Sequence, residues 1–290
     1  MIDVTKKLNL DKVEIIAAGV DHSEGLTVTP DGTLYCGGEA GQIYRIDDDK
    51  PVEVANVKGF MLGLASDGEN RVYAIDNANK CVWRYDPKTQ KTDKWLEGPK
   101  DKPFNVPNHG SFAPDGSYYL TDSGDWEERG GKVWVKRPNE EVRIFSTDAT
   151  NFPNGNAVSR DGKKLYVIES VPSAICEIEI KPNGEAGAKK ILVEFGWMVP
   201  DGIRVAGDDS LIVSFYSPNL LIRWSPEKGI EPLACDPQGV FLAAPTNIEF
   251  IGKDLDTIVT ASLARWQLSR AKLGVKGGAP HYPSAALIGN

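Results

Sequence analysis

The stretch NHGSFAPDGSYYLTDSG, residues 108–124, decides the fold. A β-rich run, a Pro-Asp-Gly turn and a second β-rich run together make a hairpin. The pattern recurs as EGLTVTPDGTLYCGG from 24, GLASDGENRVYAID from 63 and NGNAVSRDGKKLYVIES from 154. It returns twice more, as DGIRVAGDDSLIVSFY from 201 and TNIEFIGKDLDTIVTAS from 246. Asn108 and Asn154 stand 46 residues apart, Asn154 and Asp201 47, and Asp201 and Asn247 46. Glu24 to Gly63 is 39, so the first repeat is shortened. Self-similarity at one period marks a repeat architecture.

A third β-rich run follows each hairpin: QIYRID, CVWRYD, KVWVKR, AICEIEI, LLIRWS and QLSRAKL. A fourth follows in five repeats: VEVANV, TDKWLE, EVRIFS, KKILVEF and IEPLAC. Four strands per unit is a propeller blade. The expectation is an all-β, six-bladed β-propeller forming one domain over residues 1–290. KVEIIAAG, residues 12–19, is expected to supply the missing outer strand of the last blade and close the ring. No long 3.6-residue apolar stripe argues for helix. The Asp-Gly pairs at 31–32, 67–68, 115–116 and 161–162 read as hairpin turns.

Net charge is −8, with no basic run, which argues against nucleic acid and anionic membranes as partners. No apolar run reaches transmembrane length and the N-terminus has no signal-like stretch, so a cytoplasmic protein is expected. Cys36, Cys81, Cys176 and Cys235 form no CxxC pair and are expected to be inert thiols in or beside strands.

The first strand of each blade lines the channel, so its start faces the axis. Glu24, Gly63, Asn108, Asn154, Asp201 and Asn247 occupy those starts, and five of the six carry a carboxylate or carboxamide. Asn and Asp at such corners also cap turns through their own side chains. Five in one repeat phase favour converging oxygen ligands for Ca²⁺, Mg²⁺ or Mn²⁺, with Zn²⁺ less typical of a site lacking Cys and His. The chemistry such a site suggests is metal-assisted hydrolysis, with Asp201, followed by Gly202, as general base. His22 and His109 are expected near the channel mouth, and His281 lies in a Gly/Pro-rich tail. Trp126, Glu127 and Glu128 fall in the longest loop of the third repeat. No GxSxG, Walker, HExxH or Rossmann motif is present.

These residues and their surroundings resemble the SMP-30/gluconolactonase family of calcium-dependent lactonases. The resemblance runs through Glu24-Gly25, Pro107-Asn108, PNGNAVSRDGKKLYVIES from 153, PDGIRVAGDDSLIV from 200 and RWQLSRAKLGVKGG from 265. It implies one divalent cation on the axis, calcium first among Ca, Zn, Mn and Mg, held by Glu24, Asn154 and Asp201. It also implies Asp201 as base and Asn108 as a substrate contact. His109 and Trp126 join Asn108 as expected substrate contacts. The expected substrate is a small-molecule lactone or ester. Leu26, Val106 and His109 stand where the family commonly has Pro, Arg and Asp, which points to a lactone less polar than a sugar lactone. Phosphotriester or aryl-ester hydrolysis at the same metal, and a non-catalytic calcium- or ligand-binding propeller, are the alternatives.

Overall fold

The computed structural model describes residues 2–289. Its strands form six four-stranded antiparallel sheets, the blades of a β-propeller. The innermost strands are Leu26–Val28, Met61–Ser66, Pro107–Phe112, Pro153–Val158, Val199–Val205 and Ile248–Ile251. We call the end of the channel where these strands begin the upper end, and number the blades in that order.

Burial explains the layering. In blade two the innermost strand is buried at every position, whereas the outermost, Lys91–Glu97, alternates toward solvent. Sheets covered on both faces need apolar or satisfied residues throughout, and outer strands need them only on the packed face. Neighbouring blades meet through aromatic side chains. Tyr73 of blade two packs edge-on against Phe112 of blade three at 5.0 Å, in a cluster with Tyr118 and Trp134.

The turns follow their sequences. Asp31 accepts hydrogen bonds from Thr29 Oγ1 at 2.7 Å and from the Thr33 amide at 3.1 Å, while Gly32 takes φ +87°. The 67–68 turn departs from this pattern. There the left-handed position falls on Asn70, and buried Asp67 takes the amides of Glu69 and Arg71 and the Tyr73 hydroxyl.

The ring closes as the N-terminal sequence suggests. Val13–Ile16 pairs antiparallel with Leu268–Ala271, from Val13 opposite Ala271 to Ile16 opposite Leu268. Just before it, Leu8 and Cys235 exchange backbone hydrogen bonds of 3.0 and 3.1 Å across the edge of blade five. Two sheet edges are thereby covered by one segment. All four cysteines are free and buried, and burial pushes the Cys36 and Cys81 thiols up to about 12.

The C-terminal tail crosses the lower end of the channel. The Gly278 amide donates to Val205 O in blade five at 3.0 Å, His281 Nε2 to Ser159 O in blade four at 2.9 Å, and the Tyr282 hydroxyl to Val28 O in blade one at 2.7 Å. The Gly68 amide then donates to Pro283 O at 2.9 Å, and a short helix, Ala285–Ile288, buries Ile288 in the cluster between blades two and three. Among the described residues no helix is long and apolar enough to cross a membrane.

Candidate functional site

Four innermost strands break their ladder at the same place. Residues 62–63, 108–109, 154–155 and 201–202 each set two residues against one on the second strand. Such a bulge re-aims a side chain out of the pleat. Its first residue is Leu62, Asn108, Asn154 or Asp201. In blades one and six the register gives the equivalents. Gly37 N donates to Gly25 O as Ala261 N donates to Asn247 O, so Glu24 matches Thr246. The ring is therefore Glu24, Leu62, Asn108, Asn154, Asp201 and Thr246. Gly63 and Asn247, assigned to it by spacing, sit one residue further on.

The second bulge residue is a glycine where neighbouring blades touch. A Cβ on Gly155 would strike Asp201 O, and one on Gly202 would strike Thr246 O. The loops leading to the ring are fixed by acids at the ends of second strands. Asp122 accepts from the Asn105 and Val106 amides at 3.0 and 2.7 Å and from Trp134 Nε1 at 3.0 Å. Glu169 accepts from the Asn151 amide at 2.9 Å and pairs with Lys189.

Glu24, Asn108, Asn154 and Asp201 are all buried to within 7% of full exclusion from solvent. Asn154 Nδ2 donates to Asp201 Oδ2 at 3.2 Å and to Ser170 Oγ at 3.3 Å, which fixes the amide orientation. Asn154 Oδ1, Asp201 Oδ1 and Asn108 Oδ1 are then buried with no partner. Leaving a buried acceptor unmet costs about 1–3 kcal/mol. Thr246 differs, since its hydroxyl donates to Glu24 O at 2.9 Å.

Burial raises Asp201 to about 7, against the opposing Asn154 hydrogen bond. Burial, followed by the negative charges of Asp201 and Glu39, holds Glu24 well above the usual carboxylate range. Two crowded carboxyls and two amide oxygens lack positive charge. This donor set fits a hard divalent cation, and a cation among them would let both acids ionise.

His109 lies one layer deeper than its expected place at the mouth. It occupies a position that is glycine in blades one, two, four and five, and is fully buried. Its Nδ1 accepts from the Asn156 amide at 3.3 Å. Burial, then the adjacent Arg204 charge, pushes its pKa well below the ordinary histidine value, with Asn247 opposing. His109 is thus a neutral floor beneath the ring. Below it Arg204 donates through Nε and Nη2 to Glu249 Oε1 at 3.0 and 2.6 Å. Sequence reasoning passed over this pair, although both carry charge inside innermost-strand patterns.

The upper rim carries the remaining candidates. Trp126, half-exposed, packs edge-on against Phe152 at 4.7 Å, two residues before Asn154. His22 Nδ1 lies 3.2 Å from Glu39 and 3.4 Å from Asp21, and Trp266 Nε1 donates to its Nε2 at 2.7 Å. Glu127 and Glu128 are exposed, and their amides donate to Asp125 Oδ1, each at 2.8 Å.

Comparison with known proteins gives a family and a fold. The model of the SMP-30/gluconolactonase/LRE-like region matches residues 22–264. A gluconolactonase of Zymomonas mobilis subsp. mobilis is 24% identical over 172 residues, covering 52% of this chain and 48% of that protein. The chain thus spans about half the length of that curated relative. A solved Xanthomonas campestris gluconolactonase superposes with a TM-score of 0.76 at 18% identity, covering 90% of this chain and 89% of that one. A calcium-binding regucalcin of Agrobacterium tumefaciens gives 0.76 at 16% identity, covering 93% and 98%. At such identities these structures speak for the fold alone.

Proposed function

The chain belongs to the SMP-30/gluconolactonase/LRE-like family, and from that premise we propose that it is a divalent-cation-dependent lactonase working at the upper ring. The observation that carries the reading is the set of buried, partnerless oxygens on Asn108, Asn154 and Asp201 beside Glu24. Glu24, Asn154 and Asp201 would hold the cation, calcium first among the candidates. When bound, it supplies a Lewis acid that polarises the lactone carbonyl.

The chain's own groups do the rest. Asn108 orients the substrate through its carboxamide, and Trp126 borders it at the rim. His109 keeps the floor dry and uncharged. Asp201 takes a proton from water as the water oxygen bonds to the carbonyl carbon. The ring C–O bond then breaks, Asp201 returns that proton to the departing alkoxide oxygen, and the product is a hydroxy acid. Val106 and buried His109 leave the Asn108 side without the charged groups a polyol would use, which favours a lactone less polar than a sugar lactone.

The test is lactone turnover before and after chelation, with Ca²⁺, Mn²⁺, Mg²⁺ or Zn²⁺ added back. Loss on chelation and recovery with one ion supports the reading. Activity indifferent to both chelator and Asp201→Ala sinks it.

A further inference from the structure

Among the described residues nine large apolar side chains are exposed, and four of them are aromatic: Trp126, Trp197, Tyr216 and Trp266. All four lie at the upper end. Trp126 and Trp266 are in loops joining second to third strands, Trp197 lies between Ala186–Gly196 and Val199–Val205, and Tyr216 is near the end of Leu211–Ser217. Three of the other five, Ile15, Val52 and Ile191, are on outermost strands, and Leu287 is on the tail helix.

The aromatics are tied to the strands that carry the ring carboxyls and Asn154. Trp266, 63% exposed, hydrogen-bonds His22, two residues before Glu24. Trp126 packs on Phe152, two residues before Asn154. Trp197, 67% exposed, precedes Asp201 by four, and Tyr216 is flanked by Phe215 and Ser217, which pair with Pro200 and Val199. Exposed aromatic side chains at the same end of the channel as a polar site offer a binding surface to a body with both apolar and polar parts. Asp21 and Glu39 add negative charge beside Trp266, which disfavours anionic ligands and anionic lipid surfaces.

We propose that Trp197, Tyr216 and Trp266, with Trp126, select a lactone that carries an uncharged aryl or long alkyl substituent. The lactone carbonyl sits at the ring while the substituent lies across the rim aromatics. This rests on the lactonase reading for the bond that is broken, but the rim contact is a matter of binding alone.

The experiment measures binding of lactams, the amide counterparts of the substrate, to the cation-loaded protein by calorimetry. δ-Valerolactam is compared with its 6-phenyl and 6-hexyl derivatives. The substituted lactams bind on the order of tenfold more tightly, as burial of a ring or chain on aromatic surface requires. That ratio falls toward one in the double variant Trp197→Ala/Trp266→Ala and, apart from His22, in Trp197→Ala/Tyr216→Ala. Equal binding by wild type, or a ratio that survives both double variants, overturns the proposal. So does a concentration-dependent dimer that the same substitutions abolish, which gives the rim to a second copy of the chain. Rim-dependent lactam binding without turnover of any matching lactone sinks the lactonase reading alone. Turnover indifferent to the substituent sinks the rim proposal alone.

Discussion

At the lower end of the channel, Arg204 and Glu249 neutralise each other, and the tail from Gly278 to Tyr282 lines a cavity of about 70 Å³. At the upper end, on the same innermost strands, Asn108, Asn154 and Asp201 keep acceptor oxygens buried and unmatched. One chain thus satisfies polar groups on the axis where it has a covering segment, and leaves them unsatisfied where it has none. Buried polar groups are normally paired, so the upper end carries a cost that the lower end avoids. The contrast sets a paired axial charge at one end against the unpaired oxygens on which the proposed cation site rests.

The contrast can be broken at several points. Removing residues 1–20 strips the outer strand from blade six and the cover from blade five. The melting temperature should fall by roughly 10 °C or more, read by calorimetry, because two sheet edges open. An unchanged melting curve would refute closure by this segment.

Asp201→Ala should lower lactone kcat/KM on the order of a thousandfold while circular dichroism stays that of the wild type. A comparable loss of folded signal would make the upper ring structural instead. At the lower end the effects should be reversed. Glu249→Ala leaves Arg204 buried without its partner and should destabilise by about 3 kcal/mol in denaturant titration. Its effect on turnover should be far smaller than that of Asp201→Ala.

A further expected effect is a pH slope. In the cation-free folded protein Asp201 keeps its proton to about 7, against an ordinary value of 3.8. Glu24 shifts the same way. Between those values the folded state binds more protons than the unfolded chain, so stability falls as pH rises from about 4 to about 7. Chelated protein should show this decline in thermal melts, and added calcium should flatten it. Asp201→Asn should reduce the decline to the part that Glu24 carries, and should abolish the response to calcium.

The propeller was legible because its hairpins repeat at one period and four of the six turns carry Asp-Gly, at 31–32, 67–68, 115–116 and 161–162. Closure was legible from counting, since five outer strands served six blades. The site was legible only in part. Glu24, Asn108, Asn154 and Asp201 share the ring, yet Gly63 and Asn247 were placed one residue out of phase. In blade two a bulge explains why, since it inserts a residue where alternation would have fixed the count. Blade six has no such shift, and there the step from Asp201 to Thr246 is 45 residues rather than 46. His109 was misjudged in depth for a related reason. It fills a second-bulge position that is glycine in four other blades, and only the register shows that this position lies beneath the ring. Arg204 and Glu249 each showed as a charge inside an innermost-strand pattern, but nothing local paired them, because they come from different blades, 45 residues apart.

The most direct measurement is anomalous scattering from crystals soaked in Mn²⁺ or grown with Ca²⁺, read on the propeller axis. The account predicts one strong peak within bonding distance of the side-chain oxygens of Glu24, Asn154 and Asp201, lost in Asp201→Ala. Density for water alone at that point, or a peak that survives the substitution, would contradict it.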